Sequence, residues 1–111
     1  MTDTGAQLSP GGNRLGPIGD RVLFENESIR VWIVSLAPGA TQPWHQHLLP
    51  YLIVPLTKGK SEIRYEDGTI RRPEEQPGQV IWREPGEIHE LTNCAGWKYE
   101  NILVEIKTRP R

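Results

Sequence analysis

The chain has three histidines, and all of them fall in two glycine-anchored segments, Gly39-x5-His45-Gln46-His47 and Gly78-x10-His89-x3-Asn93. In an extended strand, residues two apart point to the same side, so His45 and His47 offer two imidazoles from one strand. A third imidazole from a distant strand closes one face of a single divalent metal ion. Imidazole suits several transition ions alike, so these ligand types imply a metal without choosing which one.

The composition says what kind of chain carries the trio. At 111 residues and 12.6 kDa it is sized for one domain with one modest core. Thirteen Lys and Arg stand against fourteen Asp and Glu, a near balance that points away from nucleic acid and from a membrane surface as partners. Cys94 is the only cysteine, so no intramolecular disulfide forms. Together with the lack of a basic flank and apolar run near Met1, this leads us to expect a cytoplasmic protein. No apolar run approaches the roughly 20 residues that cross a bilayer.

Gly, Pro and Asn crowd residues 1–19 (Ser9-Pro-Gly-Gly-Asn13, Leu15-Gly-Pro-Ile-Gly19), which reads as a flexible N-terminal arm with little to bury. Residues 20–107 form the expected folded domain, and 108–111 a short basic tail. Within the domain, β-prone runs at Val22–Glu25, Ile29–Leu36, Thr41–His47, Tyr51–Thr57, Ser61–Tyr65, Thr69–Arg72, Gln79–Arg83, Ile88–Thr92 and Trp97–Ile106 alternate with Pro-Gly, Lys-Gly and Asp-Gly turns. Asp67-Gly68 suits a type I′ hairpin. No segment keeps a helical period, so the fold class is all-β, a sandwich or barrel that closes on itself. The Ile29–Leu36 strand is apolar on both faces. In Trp97–Ile106 the set Ile102, Val104, Ile106 reads as the buried face, opposite a mixed one. Pro55 signals an edge or bulge, because proline donates no ladder hydrogen bond.

These motifs resemble those of the cupins, small jelly-roll β-barrels whose first motif runs G(x)5HxH(x)3–4E(x)6G and whose second runs G(x)5PxG(x)2H(x)3N. Gly39 to His47 reproduces the first half of the first motif, and Gly78, Gly86, His89 and Asn93 the spacing of the second. Pro85 stands directly before Gly86 rather than two residues before it, which leaves the distance to His89 intact. The glutamate position falls instead on Tyr51 or Leu52. The resemblance therefore implies a site of three neutral imidazoles, His45, His47 and His89, holding one divalent ion (Fe, Mn, Ni, Zn or Cu) with open positions. Without a protein carboxylate the ion's charge is uncompensated, which favours an anionic chelating substrate bearing a carboxylate or enolate. Some small bacterial cupins with a HxHxxPY-like pattern are linked to β-alanine breakdown. Relatives of this kind include dioxygenases, isomerases, lyases and hydrolases.

The other residues have plainer readings beside functional ones. Tyr51 is the candidate acid/base or substrate-orienting residue, against packing with a satisfied hydroxyl. Arg64 and Arg83 have the chemistry to clamp a carboxylate, against a place on solvated faces. Trp44, Trp82 and Trp97 read as core or interface, Cys94 as a small buried residue, and Asn93 as a turn-closing side chain bonded to backbone. The expectation is a metal-binding cupin, leaning to an enzyme on a small-molecule substrate, with a non-catalytic ligand-binding or sensory cupin as the alternative. The doubly apolar strand and the four tryptophans further lead us to expect a homodimer.

Overall fold

The computed structural model describes residues 7–107. Ten strands follow one another: β1 (Arg21–Glu25), β2 (Ile29–Leu36), β3 (Thr41–Gln46), β4 (Tyr51–Pro55), β5 (Gly59–Tyr65), β6 (Ile70–Arg71), β7 (Glu74–Glu75), β8 (Ile81–Arg83), β9 (Ile88–Asn93) and β10 (Tyr99–Ile106). They form two antiparallel sheets, β1-β2-β10-β4-β8 and β3-β9-β5-β6, with β7 added beside β5. This is the all-β jelly roll expected from the alternation of short strands and turns. The two-residue β7, rich in glutamate, carries no alternation and was not legible as a strand.

Local chemistry explains where strands stop. Pro55 ends β4 just past the last residue that β8 pairs with, so the missing N–H falls where no ladder partner stands. The β5–β6 turn departs from the type I′ expectation. Gly68 has φ +90° while no non-glycine residue has positive φ, and Tyr65 N–H donates to Thr69 O. That is a three-residue loop with glycine in the left-handed position, which a single Asp-Gly pair supports as well as it supports a two-residue loop.

Two expectations about burial are corrected. In β10 the residues that face inward are Tyr99, Asn101, Leu103 and Glu105, whereas Ile102, Val104 and Ile106 face out and are half-buried. The mixed face points in because the interior is a polar site as well as a core: Glu105 accepts from Arg30 Nε at 2.7 Å and Trp32 Nε1 at 2.8 Å. The second correction concerns the N-terminal segment, where residues 1–6 lie outside the described ones. Over 7–19 the chain packs on the barrel: Ile18 joins Tyr51 and Leu103 in the apolar cluster, and Gly16 N–H donates to Trp44 O. One buried apolar residue, Ile18, and the backbone bond from Gly16 to Trp44 tie this glycine-rich stretch down. The tail at 108–111 lies outside the described residues.

Candidate metal centre

The three histidines converge because two local devices aim them. In β3 the pairing with β9 slips between Gln42 and His45, so Pro43 and Trp44 form a bulge at a residue that has no N–H to lose. The bulge turns the Pro43 carbonyl toward its neighbour, and His45 Nδ1 donates to it at 2.7 Å. That bond fixes the tautomer and leaves Nε2 of His45 as the free lone pair. His45 then stands directly across from His89 on β9. His47 sits one residue past the end of β3, where its N–H donates to Glu87 O at 3.1 Å and its carbonyl accepts from Gly86 N at 2.7 Å. Gly86, at φ +118°, makes that tight return.

The ring centroids lie 4.9 Å (His45–His47), 4.7 Å (His45–His89) and 5.1 Å (His47–His89) apart, and one nitrogen from each ring lies within 4.8 Å of the others. All three rings are buried, and Nδ1 of His47 and of His89 have no hydrogen-bond partner. Buried orphan nitrogens are costly. Burial first, then the neighbouring imidazoles, pushes His47 down to about 2. Burial, then His45, Arg83 and Arg71, pushes His89 down to about 3. His45 is also lowered, by burial against the opposing bond to Pro43. Three clustered neutral imidazoles, one oriented by its bond to Pro43 O and two with a buried nitrogen that no protein group bonds, fit a metal ion by their donor chemistry.

Around the trio the wall is mixed. Tyr51 is 1% exposed and stacks on His47, with centroids 3.9 Å apart and planes at 15°. Burial, then Glu87, raises its pKa, so the phenol stays protonated. Tyr51 lines the cavity beside the trio, where a protonated hydroxyl is a hydrogen-bond donor. Arg83 pairs in register with Tyr51 across β4–β8 and lines the same cavity, without a hydrogen bond or salt bridge to any carboxylate among the described residues. Sequence reading offered it as a carboxylate clamp but favoured a solvated face. The three residues of β8 were too few to reveal that Ile81 and Arg83 point inward. Arg64 is on the outside, paired with Glu62 and Glu90. Glu87, two residues before His89 and so on the same side, reaches 3.6 Å from His89 Nδ1 and was not singled out from sequence. The cavity has a volume of about 50 Å³, room for roughly four water-sized groups. Below the histidines, Gln42 Nε2 and Asn101 Oδ1 are buried without partners.

Other candidates fall away from the site. Trp82 and Trp97 are exposed and Trp44 half-buried, and none lines the cavity. Cys94 is exposed rather than buried, because Asn93 takes the inward position before it. Asn93 closes its turn as expected, donating to Leu36 O and Trp97 O and accepting from Ala95 N–H.

No protein-family model matches the sequence. The chain is 30% identical over 86 residues to the β-alanine degradation protein BauB of Pseudomonas aeruginosa, covering 78% of this chain and 90% of that one. It is 38% identical over 56 residues to an (R)-mandelonitrile lyase of Granulicella tundricola, covering half of this chain and 40% of the lyase. Among solved structures, a cupin domain from Bordetella pertussis Tohama I superposes with a TM-score of 0.75 at 26% identity, over 79% of this chain and 91% of that one. With a relative alike over nearly its full length, a cupin domain of the same shape and the two histidine segments brought together in one barrel, the chain belongs to the cupin family.

Proposed function

We propose that the protein is a metal-dependent enzyme that converts a small carboxylate-bearing substrate, with His45, His47 and His89 holding one divalent ion. The observation that carries this reading is the meeting, in one small cavity, of three neutral imidazoles and an arginine without a carboxylate partner. A guanidinium there gains two charge-assisted bonds from a carboxylate. When bound, the ion supplies Lewis acidity or dioxygen activation. The chain's own residues do the rest. Arg83 fixes the carboxylate end, and the Tyr51 hydroxyl donates a hydrogen bond to an oxygen of the substrate. Ile53, Leu91 and Leu103 exclude water, while Gln42 and Asn101 offer one donor and one acceptor at the floor. The cavity's volume limits the enclosed part of the substrate to a few non-hydrogen atoms. One relative is named for the degradation of β-alanine, itself a small carboxylate, which agrees with that class.

Untagged protein prepared without chelator is expected to hold close to one transition ion per chain by elemental analysis. His47→Ala is expected to lose nearly all of it. Arg83→Gln keeps the metal and weakens binding of acetate or malonate by about 10- to 100-fold, the worth of a charged hydrogen bond. Wild-type metal content in all three histidine-to-alanine variants would overturn the metal reading, and unchanged carboxylate affinity in Arg83→Gln the substrate class. Carboxylate binding with no turnover in an oxygen-electrode and product screen makes the protein a ligand-binding cupin instead.

A further inference from the structure

The cavity is layered along its strands, one layer every two residues or about 7 Å. In the first layer His89 stands in register with His45 on one side and Tyr65 on the other. In the second, Ile63 pairs with Leu91 and Ile53 with Leu103. The third turns polar again: Ser61 and Asn101, on opposite sheets, are buried and line the far end together with the half-buried Glu75. A chain of hydrogen bonds orients this end. Tyr99 O–H donates to Glu75 Oε1 at 2.5 Å, so the same oxygen can only accept from Asn101, whose Nδ2 lies 2.7 Å away. Burial, then Glu75, raises the pKa of Tyr99 and keeps the proton on the phenol. With its nitrogen engaged there, Asn101 is left with Oδ1 buried and without a partner. Glu75 has no cationic partner among the described residues. Gly59 makes room for the cluster, since a Cβ there would come within 2.7 Å of Tyr99 Cε1 and 3.2 Å of Glu75 Oε1.

We propose that this far end is a subsite for a protonated amine, so that the molecule the cavity takes carries a carboxylate at Arg83 and an ammonium group on Asn101 Oδ1 and Glu75. The carboxylate half rests on the function proposed above, and the amine half on this polar layer alone. An ammonium has three N–H donors and no acceptor, and the groups oriented here, Asn101 Oδ1 and the Glu75 carboxylate, are acceptors. A charge leaves water only when it is paired and hydrogen-bonded. Glu75 and Asn101 supply the two together, with Ser61 Oγ as a third acceptor. An alcohol would bond Asn101 but leave the Glu75 charge unopposed. Gln42 stands in register with Leu91, a layer nearer the histidines. The rest of that middle layer is apolar and takes the methylenes between the two polar ends.

Isothermal titration of zinc-loaded protein at pH 7 tests this with three sets of probes of about three to six carbons: straight alkanoates, ω-hydroxyalkanoates and ω-aminoalkanoates. At the best length the amino compound should bind about 10- to 100-fold more tightly than either of the others, the worth of a charged hydrogen bond. Glu75→Gln keeps an acceptor for Tyr99 and removes the charge, so it should cut that preference at least about tenfold without weakening the alkanoates. Asn101→Leu should do the same where it folds, and Glu75, half-buried on a two-residue strand, gives a variant that leaves the core alone. Hydroxy or plain compounds binding as tightly as amino ones overturn the amine subsite. If Arg83→Gln still weakens all three sets, the carboxylate reading stands without it. If no alkanoate binds, that reading fails, and n-propylamine and n-butylamine test this end alone: binding weakened in Glu75→Gln supports the subsite, and no binding overturns it. A preference or an alkylamine affinity unchanged in Glu75→Gln overturns it as well, since the amine then sits elsewhere.

Discussion

Stripping the metal and lowering the pH should unfold this barrel through its histidines before its carboxylates. Burial lowers His47 from 6.5 to about 2 and His89 from 6.5 to about 3, and His45 moves the same way. A group whose pKa falls on folding binds more protons in the unfolded chain. Its contribution is therefore fully present above the unfolded value near 6.5 and is lost as pH drops toward the folded one. Each such imidazole costs up to about 1.4 kcal/mol per pH unit, so His47 and His89 together cost about 3 kcal/mol per unit once pH is well below 6.5, and His45 adds in the same direction. Between pH 7 and about 4.5 the loss from His47 and His89 reaches roughly 5 kcal/mol, the lower end of the whole stability of a domain this size. Urea unfolding of chelator-treated protein at a series of pH values measures it. The expected slope reaches at least two protons near pH 5, and His89→Gln should remove one of them. Reloading the metal should raise stability above pH 6.5 and steepen the acid loss, since protons compete with the ion for the same nitrogens. A stripped protein whose stability is flat from pH 7 to 5 would refute the reasoning, because the imidazoles would then be accepting protons within the fold.

Two further outcomes are expected. Asn93→Ala leaves two buried backbone groups, Leu36 O and Ala95 N–H, without their partner, at about 1 to 3 kcal/mol each, and frees the more exposed Trp97 O to water. Stability measured by denaturant unfolding should fall by at least about 2 kcal/mol, while metal per folded chain is unchanged. Tyr51→Phe keeps the stack on His47 and deletes one hydroxyl, so metal content and fold should persist. Turnover on any substrate found should slow by up to about 10²- to 10⁴-fold, and unchanged turnover returns Tyr51 to packing alone.

Much of the site was legible because its geometry is local. His45 and His47 share a strand face by period, and the Gly86 turn sets where His89 enters β9, so spacing in sequence carried over to spacing in space. Asn93 was legible for the same reason, since a turn-closing asparagine acts within a few residues of itself. Arg83 was not. Its place in the cavity depends on β8 pairing with β4, a contact between residues 51 and 83 that no local pattern encodes, and a three-residue strand offers too few alternations to set its parity. Glu87 was hidden because it lies just before β9, outside the strand whose alternation fixes which side a residue faces.

The inversion of β10 has a more general cause. Sequence reading assumed that the more apolar face of a strand is the inner one, which holds when the interior is only a core. Here the buried residues among those described include nine polar or charged ones against seven apolar. The interior must hold three imidazoles, a phenol and a buried carboxylate, so each strand that lines it turns a polar-bearing face inward. The apolar alternates, Ile102, Val104 and Ile106 in β10 and Val31 and Ile33 in β2, are left facing out in register with one another. A site inside a small barrel and an apolar face outside it are thus two sides of one constraint.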